Sequence, residues 1–182
     1  MSNVKPLALD DIADPELREI ARRCDEELGV PDSLFVRVIA RASTMAVPTM
    51  RMLLQSHYEG NVPHRLKELI RLQLAQFCGD PYFSALRSKK AVAEGMTEAE
   101  VQAALGDYDD SPLFTEAEKW LMRYGDQLYL DAEKVDRAFY DSMRRYWSDA
   151  EIMEVGSFIG FHYAALRFTA TLNARPLAQG GG

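Results

Sequence analysis

The chain has 182 residues, of which 47% are hydrophobic and 27% charged, with a formal net charge of −7. This length and apolar content predict a single domain over 1–182 with a core of its own. The acidic balance disfavours nucleic acid as a partner, because phosphates require a basic surface. The most apolar stretch, 155–172, contains His162, Arg167 and glycines, so it indicates a buried helix and no membrane partner.

The N-terminus lacks the basic start and apolar run of a signal peptide, so we expect a cytoplasmic protein. The chain has only two cysteines, Cys24 and Cys78, far apart in the sequence. A structural disulfide between them is therefore not expected.

Helix start signals run along the whole chain and predict an all-α fold. Asp14-Pro15 is a cap followed by a proline at the first helical position, and it predicts a helix to about Leu28. Further helices are predicted to open at Pro31, at Pro48 (to Tyr58) and at Pro63 (to about Gly79).

Three capping boxes follow, in which a Ser or Thr hydroxyl and a Glu three residues later satisfy the free amides of a helix start. They are Thr97/Glu100, Thr115/Glu118 and Ser148/Glu151.

Two helices are predicted to lie in the interior of the bundle. The helix over 63–78 is apolar on two opposite faces, which is typical of a helix packed between others, in its own domain or across a subunit interface. The last helix, from Asp149 to about Ala174, has an apolar stripe that includes His162 and a small-residue stripe of Gly156, Gly160 and Ala164. We expect the small residues to allow close packing.

The segment 65–94 reads RLKELIRLQLAQFCGDPYFSALRSKKAVAE. It resembles the carboxymuconolactone decarboxylase superfamily, within it the alkylhydroperoxidase-D-like branch, and the resemblance extends from Pro48 to Asn173. It implies a helical bundle with a family-like core over 45–175 and N-terminal helices over 1–44. It also implies a homo-oligomer, whether a dimer, trimer or hexamer. The glycine run at 180–182 separately predicts a flexible tail over 176–182.

The redox residues of that branch are not preserved in this chain. Glu68 matches the helix glutamate, but Asp80 and Phe83 occupy the two cysteine positions, Tyr82 lies between them, and Arg87 occupies the histidine position. A dithiol peroxidase requires a reactive thiolate and a resolving thiol. The resemblance therefore predicts the fold without the peroxidase chemistry.

Glu68 and His162 are the candidate acid and base. A buried carboxylate is rare unless it is paired, so Glu68 has either an arginine or lysine partner or a raised pKa. His162 lies on an apolar stripe, where a histidine that only fills the core is the alternative. Asp80 is predicted to cap a helix, and a catalytic role is also open for it and for its neighbour Tyr82.

Arg87 and Arg167 are candidates for holding an anionic substrate, with Tyr163 and Phe83 lining the same site. A solvated helix face is the alternative for Arg87, and an ion pair with an acidic residue is the alternative for Arg167. His57 and His64 are expected on the surface. The three histidines show no metal-ligand spacing, so neither a metal nor a cofactor is expected.

These observations favour a cofactor-free, non-redox enzyme, a decarboxylase, lyase or isomerase, acting on a small organic acid or lactone. A non-catalytic binding or stress-response protein is the alternative. Thiol peroxidase activity through Cys78 ranks last.

Overall fold

The computed structural model describes residues 2–175, and these residues form helices and turns without a strand. The predicted all-α bundle is confirmed, whereas the predicted tail over 176–182 lies outside the described residues. The α-helices are α1 Pro15–Arg23, α2 Ser33–Ile39, α3 Ser43–Tyr58, α4 His64–Phe77, α5 Pro81–Ala85, α6 Lys89–Ala93, α7 Glu98–Leu105, α8 Glu116–Leu130, α9 Arg137–Met143 and α10 Asp149–Leu172.

Two of the proline-based helix starts are wrong. α2 begins at Ser33, after Pro31, because the Asp32 carboxylate accepts a hydrogen bond from the Leu34 amide at 2.9 Å and caps the helix there. α3 begins at Ser43 and contains Pro48 in its second turn. A proline there removes one backbone hydrogen bond, which the rest of a long helix tolerates.

The capping boxes are confirmed, each with both reciprocal hydrogen bonds. They begin α7, α8 and α10, so the sequence located the starts of the helices that surround the centre of the bundle.

α4 is that centre. Every side chain from Leu66 to Ala75 is buried, and the helix packs against α7, α8 and α10. The expected position between other helices is therefore reached within one chain, and α4 needs no second subunit to cover its apolar faces.

α10 buries the predicted stripe that includes Val155, Ile159 and His162. Its other side exposes Met153, Phe161 and Phe168, each between 43% and 52% accessible. Self-association of the chain stays a prediction. We expect it to involve this exposed apolar side of α10. No helix within residues 2–175 is long and apolar enough to cross a membrane.

The two glycines of α10 differ in their surroundings, and this gives a matched pair of stability predictions. A β-carbon at Gly156 would lie 2.6 Å from the Tyr124 hydroxyl, which is hydrogen-bonded to the Tyr140 hydroxyl at 3.1 Å; at Gly160 it would meet no atom within 4 Å. We expect Gly156→Ala to lower the free energy of unfolding by about 1–3 kcal/mol through overpacking. Gly160→Ala should raise it by up to about 1 kcal/mol through helix propensity.

Urea denaturation followed by circular dichroism measures both values. A loss of stability in Gly160→Ala would contradict the open surroundings of that position and would indicate that another copy of the chain covers it.

Candidate functional site

Glu68 and Arg71 form a fully buried ion pair one turn apart on α4. The guanidinium donates from Nε and Nη2 to the two carboxylate oxygens, both at 2.8 Å, and from Nη1 and Nη2 to the carbonyls of Phe83 (2.6 Å) and Leu86 (3.0 Å). The Ser88 amide donates to Glu68 Oε1 at 2.9 Å. The pair therefore joins α4 to the chain that forms α5 and the start of α6.

The arginine partner determines the charge state of Glu68. Burial raises the pKa of this carboxyl, but the charge and hydrogen bonds of Arg71 and the contact with His57 more than offset that effect, so the pKa lies below its ordinary value. The sequence left two alternatives for Glu68, a raised pKa or a cationic partner. The structure shows the second, with Arg71 as the partner. Glu68 is ionised at neutral pH and is unsuited to act as an acid.

His57 is the site residue that the sequence interpretation missed. It was expected on the surface, but its side chain is only 1% exposed, and its Nε2 lies 3.1 Å from Glu68 Oε2, in contact although not in a well-aligned hydrogen bond. The buried side of α3 has helical spacing, Ala46, Met50, Leu53 and His57. That periodicity was present in the sequence and placed His57 on the core face.

His57 brings the histidines of the chain together. Its ring centre lies 4.6 Å from that of His64 and 5.2 Å from that of His162, so α3, α4 and α10 each contribute one imidazole to a buried cluster. Glu68 and His162, proposed as partners, lie on the same cluster with His57 in contact with both.

His64, also expected on the surface, is buried and fully hydrogen-bonded. Its Nδ1 lies 2.9 Å from the His57 carbonyl, which can only accept, so Nδ1 carries the hydrogen. Its Nε2 then accepts from the Ser88 hydroxyl at 2.7 Å. Both nitrogens are engaged in fixing α3 against α6, and His64 is a structural member of the cluster.

His57 and His162 are held neutral by their surroundings. Burial lowers the pKa of His57 to about 4, although Glu68 opposes the shift. Burial, with the nearby His57 and Arg71, places the pKa of His162 well below its ordinary value. His162 Nε2 lies 3.5 Å from the Ser56 hydroxyl, a weak contact that leaves the ring poorly hydrogen-bonded on that side.

Asp80 and Tyr82 each have hydrogen-bond partners within the fold, and Asp80 is the helix cap predicted from the sequence. Asp80 is buried and caps α5 by accepting from the Tyr82 amide at 2.9 Å, and the Thr169 hydroxyl of α10 donates to its other oxygen. The Tyr82 hydroxyl is buried and donates to Asp32 at 2.6 Å. Asp80 also lines a surface pocket of about 340 Å³ beside α5.

The candidate binding residues do not converge on the histidine cluster. Phe83 is buried and packs edge-on against Phe35 at 5.7 Å between ring centres. Arg87 donates to the carbonyls of Ser84 and Leu86 at 2.8 and 3.0 Å, and lies 3.7 Å from the exposed Glu98.

Tyr163 and Arg167 lie further along α10. Tyr163 is half-buried, with its ring against Tyr129 at 5.3 Å. Arg167 is exposed. Burial raises the pKa of the Cys78 thiol, and the charge of Arg167, which lowers it, only partly offsets this effect. In residues 2–175, Arg167 makes no hydrogen bond or ion pair.

No group of three or more His, Cys, Asp or Glu side chains among the described residues is arranged to hold a metal ion. His57 is in ring contact with the other two imidazoles and lies against Glu68, while His64 accepts from Ser88.

The central segment of the chain matches a known protein family. Residues 46–127 match the sequence profile of the carboxymuconolactone decarboxylase family. The predicted family resemblance is confirmed. The matched segment contains α4 and the Glu68–Arg71 pair, and a search of curated proteins gives no significant match.

The fold is similar to that of several solved structures. The debrominase Bmp8 has a TM-score of 0.80 and 20% identity, covering 97% of this chain and 92% of that chain. An uncharacterised peroxidase-related protein from Ralstonia eutropha, an alkylhydroperoxidase AhpD core, has a TM-score of 0.80 and 11% identity, with 98% and 93% covered. A peroxidase-related protein from Silicibacter has a TM-score of 0.77 and 16% identity, with 98% and 96% covered.

The buried ion pair yields a stability prediction. Glu68→Gln should lower the free energy of unfolding by about 3–5 kcal/mol, because it leaves the Arg71 charge buried without its partner. Glu68→Gln combined with Arg71→Met should cost less than the sum of the two single changes. Urea denaturation of the double-mutant cycle measures the coupling.

The exposed pair Arg51–Glu16 is the matched control. Glu16→Gln should change the same free energy by less than about 1 kcal/mol. Equal effects of Glu68→Gln and Glu16→Gln would contradict the central role assigned to the buried pair.

The neutral histidines predict a pH dependence of stability. A folded-state pKa of about 4 for His57, against 6.5 unfolded, means that the unfolded chain binds more protons as pH falls between these values. Stability should therefore fall from pH 7 towards pH 4.5, by on the order of 3 kcal/mol from this residue. The lowered pKa of Glu68 contributes a further loss only below about pH 4.5.

Unfolding free energies of wild type and His57→Gln measured across this range test the assignment. The variant should show a shallower slope, and parallel slopes would contradict it.

Proposed function

We propose that this protein is a cofactor-independent acid–base enzyme, of decarboxylase, lyase or isomerase type, acting on a small organic acid or lactone. The observation that carries the proposal is the contact of a neutral, buried imidazole, His57, with a permanently ionised carboxylate, Glu68. The match of residues 46–127 to the carboxymuconolactone decarboxylase family supports the reaction class proposed.

The roles of the two groups follow from their charge states. With its hydrogen on Nε2, the atom that lies 3.1 Å from Glu68, His57 keeps on Nδ1 the lone pair that accepts a proton. The imidazolium that forms lies against the carboxylate, which stabilises it without being protonated itself. Glu68 is therefore a positioning residue and His57 the proton acceptor, in place of the acid–base pair of Glu68 and His162 expected from the sequence.

His162 is the second proton carrier in this proposal. Its ring is close to His57, makes only a weak contact with Ser56 through Nε2, and is contributed by α10, so a proton can pass between α3 and α10 without crossing bulk solvent. For an anionic substrate, Arg167 is a better candidate than Arg87, because Arg87 is half-buried with its Nη1 bound to two carbonyls, whereas Arg167 is exposed.

A non-catalytic protein is the second candidate, and one observation favours it. His57, His162 and Glu68 are each less than 5% exposed, and Glu68 and Arg71 have their hydrogen bonds satisfied within the fold. Such a cluster also fits a protein in which these residues only specify the packing.

Proton exchange provides a test that does not require the substrate to be known in advance. A panel of small carboxylic acids and lactones is incubated with the protein in D₂O, and loss of the proton next to the carbonyl group is followed by ¹H NMR, together with release of CO₂. The panel includes 2,3,4-tribromopyrrole, the compound bound in a structure of a cysteine variant of the debrominase Bmp8. We expect exchange or turnover with at least one acid or lactone.

The site variants should separate the candidates. His57→Gln should reduce the rate by about 100-fold or more, the usual contribution of a general base, and His162→Gln should also reduce it. Cys78→Ser is the control and should leave the rate unchanged, since the thiol has no part in the step. Unchanged exchange in a folded His57→Gln variant would overturn the mechanism, and an inactive panel would favour the non-catalytic candidate.

A further inference from the structure

A second polar cluster lies between α4, α7 and α8, formed by residues other than those of the histidine cluster. Its members are Gln73 on α4, Asp126 on α8 and Tyr108 on the α7–α8 connection. The Tyr108 hydroxyl donates to Asp126 Oδ2 at 2.5 Å, and Gln73 Nε2 approaches Oδ1 at 3.4 Å. These residues have no part in the proposed proton transfer.

One polar atom of this cluster lacks a partner. The Gln73 side chain is 4% exposed, and its Oε1 has no hydrogen-bond donor anywhere in residues 2–175. An unpaired buried acceptor costs free energy, so a donor from outside the chain is favoured there.

Asp126 also lacks a cation. Its two contacts, Tyr108 and Gln73, are neutral, and within the described part of the chain it forms no ion pair. Asp109, which acts on Asp126 electrostatically, carries the same negative charge, and Arg123 is occupied by Asp109 at 2.7 Å and Glu116 at 3.7 Å. Burial accordingly raises the pKa of Asp126.

The two groups line a pocket. Its volume is about 140 Å³, and it is also lined by the side chains of Phe77, Ala104 and Leu105. Since one water in the liquid occupies roughly 30 Å³, the pocket has room for about four or five non-hydrogen atoms.

We propose that this pocket binds a small organic ammonium group, a primary amine with a short alkyl chain. The ammonium donates hydrogen bonds to Gln73 Oε1 and to the Asp126 carboxylate, and the alkyl carbons contact Ala104, Leu105 and Phe77. The unpaired acceptor and the unneutralised carboxylate are thereby satisfied by a single ligand.

The chemistry of the lining excludes the other ligand classes. An anion would be repelled by Asp126. A divalent ion takes six or more oxygen ligands, and the cluster offers one carboxylate and one amide oxygen. A quaternary ammonium has the charge but no N–H for Gln73. This inference is independent of the function proposed for His57.

The test uses the full chain and ethylammonium chloride as the probe, with binding measured by isothermal titration calorimetry and by ¹H–¹⁵N chemical-shift changes at constant ionic strength. Ethanol, tetramethylammonium chloride and potassium chloride are the comparison ligands, lacking the charge, the N–H donors and the organic group respectively. We expect saturable binding of ethylammonium, with shifts at residues 104–108 and 126, and weaker binding of the three others.

Variants locate the site. Asp126→Asn should weaken binding by about tenfold or more, the usual effect of losing a hydrogen bond to a charged group. Gln73→Met keeps the shape, removes the acceptor and should also weaken binding, which provides a second measurement if Asp126→Asn does not fold. Asp110→Asn, an exposed acid on the same connection, should leave binding unchanged. Absence of saturable binding, equal binding of potassium or tetramethylammonium, or full affinity in either site variant would overturn the proposal.

Discussion

The buried ion pair between Glu68 and Arg71 is the interaction on which the centre of this fold depends. Arg71 binds the carbonyls at the end of α5, and Glu68 binds the Ser88 amide at the start of α6 and contacts His57 of α3. One pair on α4 therefore fixes the position of three other segments. A pair of this kind contributes little net stability over an apolar replacement, but the removal of either partner is costly, and its geometry specifies how the segments are arranged.

The same pair determines what chemistry is available nearby. Because Arg71 keeps Glu68 ionised, the carboxylate can stabilise a cation but not supply a proton, and in the proposed mechanism the neutral His57 accepts the proton. The residues at the thiol positions of the resembled family have structural contacts instead. Asp80 caps α5 and binds Thr169, and Phe83 packs against Phe35 while its carbonyl binds Arg71.

The two polar clusters flank α4 and differ in how they are satisfied. Around Glu68, a cation and several hydrogen-bond donors of the same chain satisfy the carboxylate. Around Asp126, neutral donors only are present and an amide oxygen has no partner. This contrast is the physical basis for assigning proton transfer to the first cluster and ligand binding to the second.

Local chemistry in the sequence determined much of the helical framework. The capping boxes marked the starts of α7, α8 and α10, and the two apolar faces of α4 indicated its central position. Short-range rules sufficed there because a cap or a periodic stripe depends on residues within one or two turns. Such rules did not predict the starts of α2 and α3. Asp32, and not Pro31, sets the start of α2, and Pro48 is tolerated inside α3 because tertiary packing stabilises that helix.

The site was decided by the tertiary structure. The sequence identified Glu68 and His162 as unusual, and the spacing of α3 contained the signal for His57, but no local pattern states that imidazoles at positions 57, 64 and 162 meet. Nor does the sequence choose among Arg65, Lys67 and Arg71 as the partner of Glu68. That choice depends on which side chain the packing of α4 against α5 and α6 encloses with the carboxylate, and it reverses the pKa shift considered for an unpaired acid.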